Sequence, residues 1–215
     1  MSASRIVVLI SGSGSNLQAI IDACQSKQIS GDVVSVISNK ADAYGLTRAE
    51  NAGIETCVLS HKDFASREDY DAQLAQLIDS FSPDLVVLAG FMRILTPSLV
   101  QKFKGKMLNI HPSLLPKYQG LNTHQRAIDA KDDVHGVSVH FVTEELDGGP
   151  VVLQARVPIL ADDTAESLAQ RVHEQEHIIY PLAVQWFSEQ RLTMEADYAV
   201  FDNQPLPPQG AHYPV

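Results

Sequence analysis

Asn109 and His111 stand two positions apart at the end of the apolar run Met107–Ile110, and Asp147 lies farther along in the turn sequence DGGP. An imidazole exchanges protons near neutral pH, and an amide NH2 can donate to a developing oxyanion without giving up a proton. If the run is a strand, period-two alternation lets Asn109 and His111 point the same way, and ligands in open α/β sheets collect beyond the carboxyl ends of strands. A carboxylate brought near His111 would favour its protonated form. Gly148 and Gly149 would let this stretch of backbone approach a ligand or a neighbouring segment. Taken singly, each residue also has a plainer reading: Asn109 as a cap, His111 as a surface histidine, Asp147 as a turn former.

A second group surrounds the glycines of SGSGSN, Ser11–Asn16. This loop falls between a strand-like run and a helix-like one, where backbone N–H groups and the helix dipole favour an anion, with phosphate the natural ligand. It is not a dinucleotide fingerprint: Leu17 occupies the third glycine position, and the next strand ends in Ser38 and Asn39 rather than an acid. No Gly-Lys-Ser/Thr follows, so it is not a Walker loop either.

A third motif, HEQEH at His173–His177, fits the zinc-protease pattern H-E-x-x-H. On a helical wheel Leu168, Val172, Ile179, Leu182 and Trp186 form one stripe, and both histidines fall roughly 140–180° from it. They are therefore expected to face away from the core without a third ligand, and no metal is expected. Glu176 falls at about 80°, the edge of the stripe. His124, His135 and His140 lack ligand spacing. Of these, His140 alternates with Val137, Val139 and Phe141, which places it on the side of Ser138 and within reach of the candidate site.

The elements that must carry these residues are legible as an alternation. Strand-like runs occur at Ile6–Ile10, Val33–Ser38, Thr56–Leu59, Leu85–Gly90 and Met107–Ile110. Between them lie helical spacings: Leu17, Ile20, Ile21 and Cys24; the stretch Tyr44–Ala52; and Tyr70, Leu74, Leu77, Ile78 and Phe81. Strand–helix alternation predicts a doubly wound, mostly parallel sheet in a three-layer α/β/α fold, Rossmann-like in type. Strands are predicted at Gly136–Val142 and Val151–Ile159, a long helix at Thr164–Phe187 with Pro181 able to kink it, and a strand at Tyr198–Phe201. The tail, with this strand and the Pro-rich end Leu206–Pro214, is expected to lie on the surface as a hairpin and loose terminus.

The chain has 215 residues, 45% hydrophobic and 20% charged, and is expected to form one domain over 1–215. Its parts would be a phosphate-binding half to about 105, a catalytic half over about 106–190, and a tail from about 191 to 215. A net charge of −10 disfavours a nucleic-acid surface and suits small-molecule partners. Cys24 and Cys57, in no metal-type spacing, suggest reduced thiols in the core. Without a leader-like segment or a membrane-length apolar run, a soluble cytoplasmic protein is expected, with no membrane partner.

The run NIHPSLLPKYQGLNTH at Asn109–His124, together with ELDGGP at Glu145–Pro150, resembles the signature of folate-dependent formyltransferases. The SGSGSN loop, AGFMRIL at Ala89–Leu95 and QEHIIYP at Gln175–Pro181 extend the resemblance over essentially the whole chain. It implies transfer of a formyl group from 10-formyltetrahydrofolate, as co-substrate, to the amine of glycinamide ribonucleotide in purine synthesis. Asn109, His111 and Asp147 would be catalytic. Gly14, Ser15, Asn16 and Glu176 would hold the ribonucleotide. Arg67, Met92, Arg93, Ile94, Leu95, Asn109 and the loop Thr143, Glu144, Glu145, Leu146, Asp147 would contact folate. A monomer or weak homodimer is expected. The alternative is another user of the same folate, a hydrolase or a transferase to a different amine. Loops near Ser113–Thr123 and Thr143–Gly149 are expected to order on ligand binding.

Overall fold

A computed structural model describes residues 2–214 and divides into two compact units that meet in sequence between Leu108 and Asn109. In the first unit, β1 (Ser4–Ile10), α1 (Ser15–Gln25), β2 (Gly31–Ser38), α2 (Tyr44–Asn51), β3 (Glu55–Val58), a 3-10 turn (His61–Asp63), α3 (Arg67–Ser80), β4 (Leu85–Leu88) and α4 (Pro97–Lys102) follow in turn. The strands pair in parallel in the order β4, β1, β2, β3. Ile6 to Ile10 are fully buried, as a β-branched run inside a parallel sheet requires. Leu17, Ile20, Ile21 and Cys24 form the buried stripe of α1 that their spacing predicts. Cys57, expected in the core, is only half-buried, because β3 is a sheet edge.

Strand β5 (Met107–His111) crosses the sequence boundary and delivers Asn109 and His111 to the second unit. There α5 (Thr123–Asp129), β6 (Val134–Phe141), β7 (Val151–Pro158) and α6 (Ala165–Ser188) follow, with α6 packed on β6 and β7. β6 and β7 are antiparallel, and the register shifts between Val139 and His140 so that Val152 is an extra residue on β7. Such bulges re-aim side chains near sites. α6 starts with a capping box in which Thr164 and Ser167 satisfy each other's backbone N–H. It runs on through Pro181 to Ser188.

The tail corrects one expectation. β8 (Leu192–Glu195) and β9 (Tyr198–Phe201) form the hairpin, joined by β10 (Gln204–Pro205). The terminus, however, is not loose: β11 (Ala211–Tyr213) pairs in parallel with Leu153–Ala155 of β7. Backbone hydrogen bonding, which needs no apolar periodicity, holds it there.

Candidate active site

The second unit gathers Asn109, His111, His140 and Asp147. His111 is 6% exposed, and its Nδ1 lies 3.5 Å from Asp147 Oδ2. Its Nε2 is 2.8 Å from the Tyr118 carbonyl. A carbonyl only accepts, so Nε2 carries hydrogen, and a second proton, on Nδ1, would lie against the carboxylate. Gly120 N–H also donates to Asp147 Oδ2 at 2.9 Å, which fixes where that oxygen sits beside His111.

His140 supplies the other side. Its Nδ1 is 2.9 Å from the Phe141 carbonyl, so that nitrogen holds the hydrogen. Burial, the dominant effect, pushes this imidazole well below its ordinary range, even though the Phe141 carbonyl and Asp147 pull the other way. Neutral His140 therefore presents a lone pair on Nε2, and Asn109 Nδ2 donates to it at 3.2 Å. That bond orients the amide and leaves Asn109 one N–H for a ligand oxygen. His140 Nε2 lies 3.9 Å from Asp147 Oδ1.

Asp147 reaches this group through an unusual piece of backbone. Its φ is 50°, in the left-handed region that Asp tolerates better than most residues. Two residues on, a Cβ at Gly149 would lie 1.8 Å from the Phe141 carbonyl. Only glycine lets the turn press against the end of β6, and it is this neighbouring strand that the predicted close approach serves.

The segment from Pro112 to Asn122 is anchored at its root by a buried network. Ser138 Oγ donates to the Ser113 carbonyl at 2.6 Å and accepts from Leu115 N–H and Gln154 Nε2 at 3.1 and 3.0 Å. Gln154 Nε2 also donates to the Leu115 carbonyl at 2.9 Å. Farther out, Tyr118 Oη and Lys117 Nζ both donate to Asp132 Oδ2, at 2.7 and 2.9 Å. Arg126 Nη1 donates to the Gln119 carbonyl at 2.7 Å. Sequence reasoning could not find Tyr118 or Gly120, because both act through backbone atoms.

The other candidates are distributed as follows. In the first unit Gly14 has φ 72° and precedes α1, where no side chain caps the helix, and a Cβ there would lie 2.6 Å from Gly45 Cα. Arg48 Nε donates to the Ser13 carbonyl at 2.7 Å. Helix α1 opens with Ser15 and Asn16, with no acidic residue in its first turn, a setting that accommodates an anion. Arg67 opens α3 and is exposed. Met92 and Ile94 are 64% and 58% exposed, while Arg93 lies over the Tyr70 ring at 4.8 Å; Leu95 is half-buried. In the second unit Glu144, Glu145 and Leu146 are exposed and Thr143 is half-buried. Glu176 is buried on α6, deeper than its wheel position suggests, whereas His173 and His177 are exposed as expected. Among the described residues no three His, Cys, Asp or Glu side chains cluster as metal ligands.

Known proteins resemble this chain in sequence and fold. A family model described as "Formyl transferase" matches residues 4–184. The phosphoribosylglycinamide formyltransferase of Escherichia coli (strain K12) is 60% identical over 206 residues, covering 96% of this chain and 97% of that protein. Its counterpart from Haemophilus influenzae is 54% identical over 206 residues, covering 96% of this chain and 97% of that protein. The solved structure of the Coxiella burnetii phosphoribosylglycinamide formyltransferase, in complex with CHES, superposes with a TM-score of 0.94 at 52% identity, covering 98% of this chain and 99% of that one. The likeness extends to the mostly parallel, helix-flanked Rossmann-like sheet.

Proposed function

Because the chain belongs to the formyl transferase family, we propose that it transfers the formyl group of 10-formyltetrahydrofolate to the amine of glycinamide ribonucleotide, a step of purine biosynthesis. The observation that carries the chemistry is the buried group around Asp147: His111 at 3.5 Å, and His140 holding the Asn109 amide at 3.2 Å.

Attack of the amine on the formyl carbon converts a planar carbonyl into a tetrahedral oxyanion. The free N–H of Asn109 and the positive charge of a protonated His111 stabilise that oxygen, and Asp147 holds the imidazolium. The amine must lose a proton and the departing folate nitrogen must gain one; the His111–Asp147 pair can hold a proton between these events. In the present arrangement His111 Nε2 is bonded to the Tyr118 carbonyl. Donation from Nε2 to a formyl oxygen therefore requires that bond to exchange, which fits a segment that rearranges when substrate binds.

The ribonucleotide phosphate is assigned to Gly14, Ser15 and Asn16 and its sugar side to Glu176. Folate is assigned to Arg67, Met92–Leu95 and Thr143–Asp147. The largely apolar Met92–Leu95 segment, with Met92 and Ile94 exposed, supports contact with a flat pterin through backbone groups. Folate serves as co-substrate, and the mechanism uses no metal. The two units work as one enzyme, cytoplasmic, monomeric or weakly dimeric, with small molecules rather than nucleic acid or membrane as partners.

The test mixes purified protein with both substrates and follows tetrahydrofolate and formylated ribonucleotide, omitting each substrate in turn. The expected result is product only when both are present. Folate released without ribonucleotide would identify a hydrolase, and binding without turnover would contradict enzymatic transfer.

A further inference from the structure

The first residue of the glycine loop has a role that its position alone does not suggest. Ser11 is 4% exposed, and its hydroxyl is bonded twice: it donates to Asn39 Oδ1 at 2.6 Å and accepts from Met92 N–H at 2.8 Å. Its backbone N–H donates to the Gly90 carbonyl at 3.2 Å. Asn39, 3% exposed, has its oxygen committed to Ser11 and its Nδ2 3.5 Å from His61 Nδ1. One hydroxyl thus connects the start of the Ser11–Asn16 loop, the end of β2 and the Met92–Leu95 segment.

At its other end the segment is held by a second buried side chain, since Thr96 N–H donates to Asp71 Oδ2 at 2.6 Å. The backbone between these anchors is therefore held while Met92 and Ile94 project to solvent. A ligand recognised by backbone groups there depends on the anchors, not on the exposed side chains, for its geometry.

We propose that Ser11 is a positioning residue that joins the ribonucleotide loop to the folate segment, so that one hydroxyl sets the placement of both substrates. The proposal rests on the formyl-transfer reading above. The Ser11 hydroxyl is committed to Asn39 and Met92 and so acts through them, and its loss should weaken substrate placement more than the chemical step.

Steady-state kinetics with 10-formyltetrahydrofolate and glycinamide ribonucleotide test it on Ser11→Ala, with Ser35→Ala as the control for losing an equally buried hydroxyl on β2. Ser11→Ala should raise both KM values by about tenfold and change kcat by less than about threefold, the pattern of lost binding shared by ground and transition states. Ser35→Ala should leave both KM values near wild type. Asn39→Ala, which removes the acceptor for the Ser11 proton, should shift both KM values in the same direction, and gives the readout should Ser11→Ala not fold. A lowered kcat with unchanged KM values in the variants, or a rise in only one KM, would overturn the proposal. Absence of turnover in the wild-type protein would overturn the functional reading itself, a failure seen before any variant is made.

Discussion

Asn109 makes the most specific demand on its surroundings. The oxyanion role proposed for it requires an amide facing the right way, and the orientation follows from a chain of single-valued bonds: the Phe141 carbonyl fixes the His140 tautomer, and His140 Nε2 fixes Asn109. His140→Phe keeps an aromatic ring but removes the acceptor, so the amide is free to turn. Formyl transfer by this variant should fall by roughly 10–100-fold, less than the roughly 100–1,000-fold expected for Asn109→Ala, which removes the donor itself. Equal rates for His140→Phe and wild type would show that Asn109 needs no such support. Much of this was legible in the sequence. Asn109 and His111 share a strand end, and the alternation around Val137, Val139 and Phe141 singled out His140. Asp147 was legible only through resemblance, because no local pattern reports contact between positions 36 apart.

At the scale of elements, the site depends on a turn pressed against the end of a strand. Gly149 lies where a Cβ would overlap the Phe141 carbonyl at 1.8 Å. Gly149→Ala should therefore displace the Thr143–Gly149 turn and draw Asp147 away from His111. The expected outcome is a loss of turnover of at least about tenfold together with weakened protection of Gly120 N–H in hydrogen exchange, since that amide donates to Asp147. Unchanged exchange and full activity would contradict the positioning argument. The long elements were legible because periodicity over eight or more residues leaves little choice: the predicted Thr164–Phe187 helix is observed at Ala165–Ser188. Among the short elements some were not, although the four-residue β9 is observed at its predicted bounds, Tyr198–Phe201. α4, α5 and β11 have six, seven and three residues, too few to establish a period, and β11 exists because β7 offers it unpaired backbone groups.

Over the whole molecule, buried neutral histidines should govern the response to acid. His135 is 1% exposed and its Nε2 lies 3.2 Å from His124 Nδ1, a geometry in which one ring donates and the other accepts. Burial first, and His124 second, lower His135 to about 4 from an ordinary 6.5; burial likewise lowers His124 and His140. The unfolded chain then binds more protons than the folded one between about pH 6.5 and 4, so stability must fall as pH falls through that window and level off above it. Each such group adds a slope of up to about 1.4 kcal/mol per pH unit. Below it Asp163, whose carboxyl is held well under the usual range mainly by hydrogen bonds from Arg171, adds its own acid sensitivity. Urea unfolding between pH 7.5 and 4.5 checks this, and a midpoint independent of pH would contradict it. The most direct test of the account as a whole is the rate of formyl transfer from 10-formyltetrahydrofolate to glycinamide ribonucleotide in wild type, His111→Ala, Asp147→Ala and the double variant. If these side chains act as one catalytic group, each single variant should lose at least about a hundredfold in kcat while staying folded, and the double variant should be little slower than the slower single one. Near-wild-type rates in either single variant, or losses that multiply in the double, would contradict it.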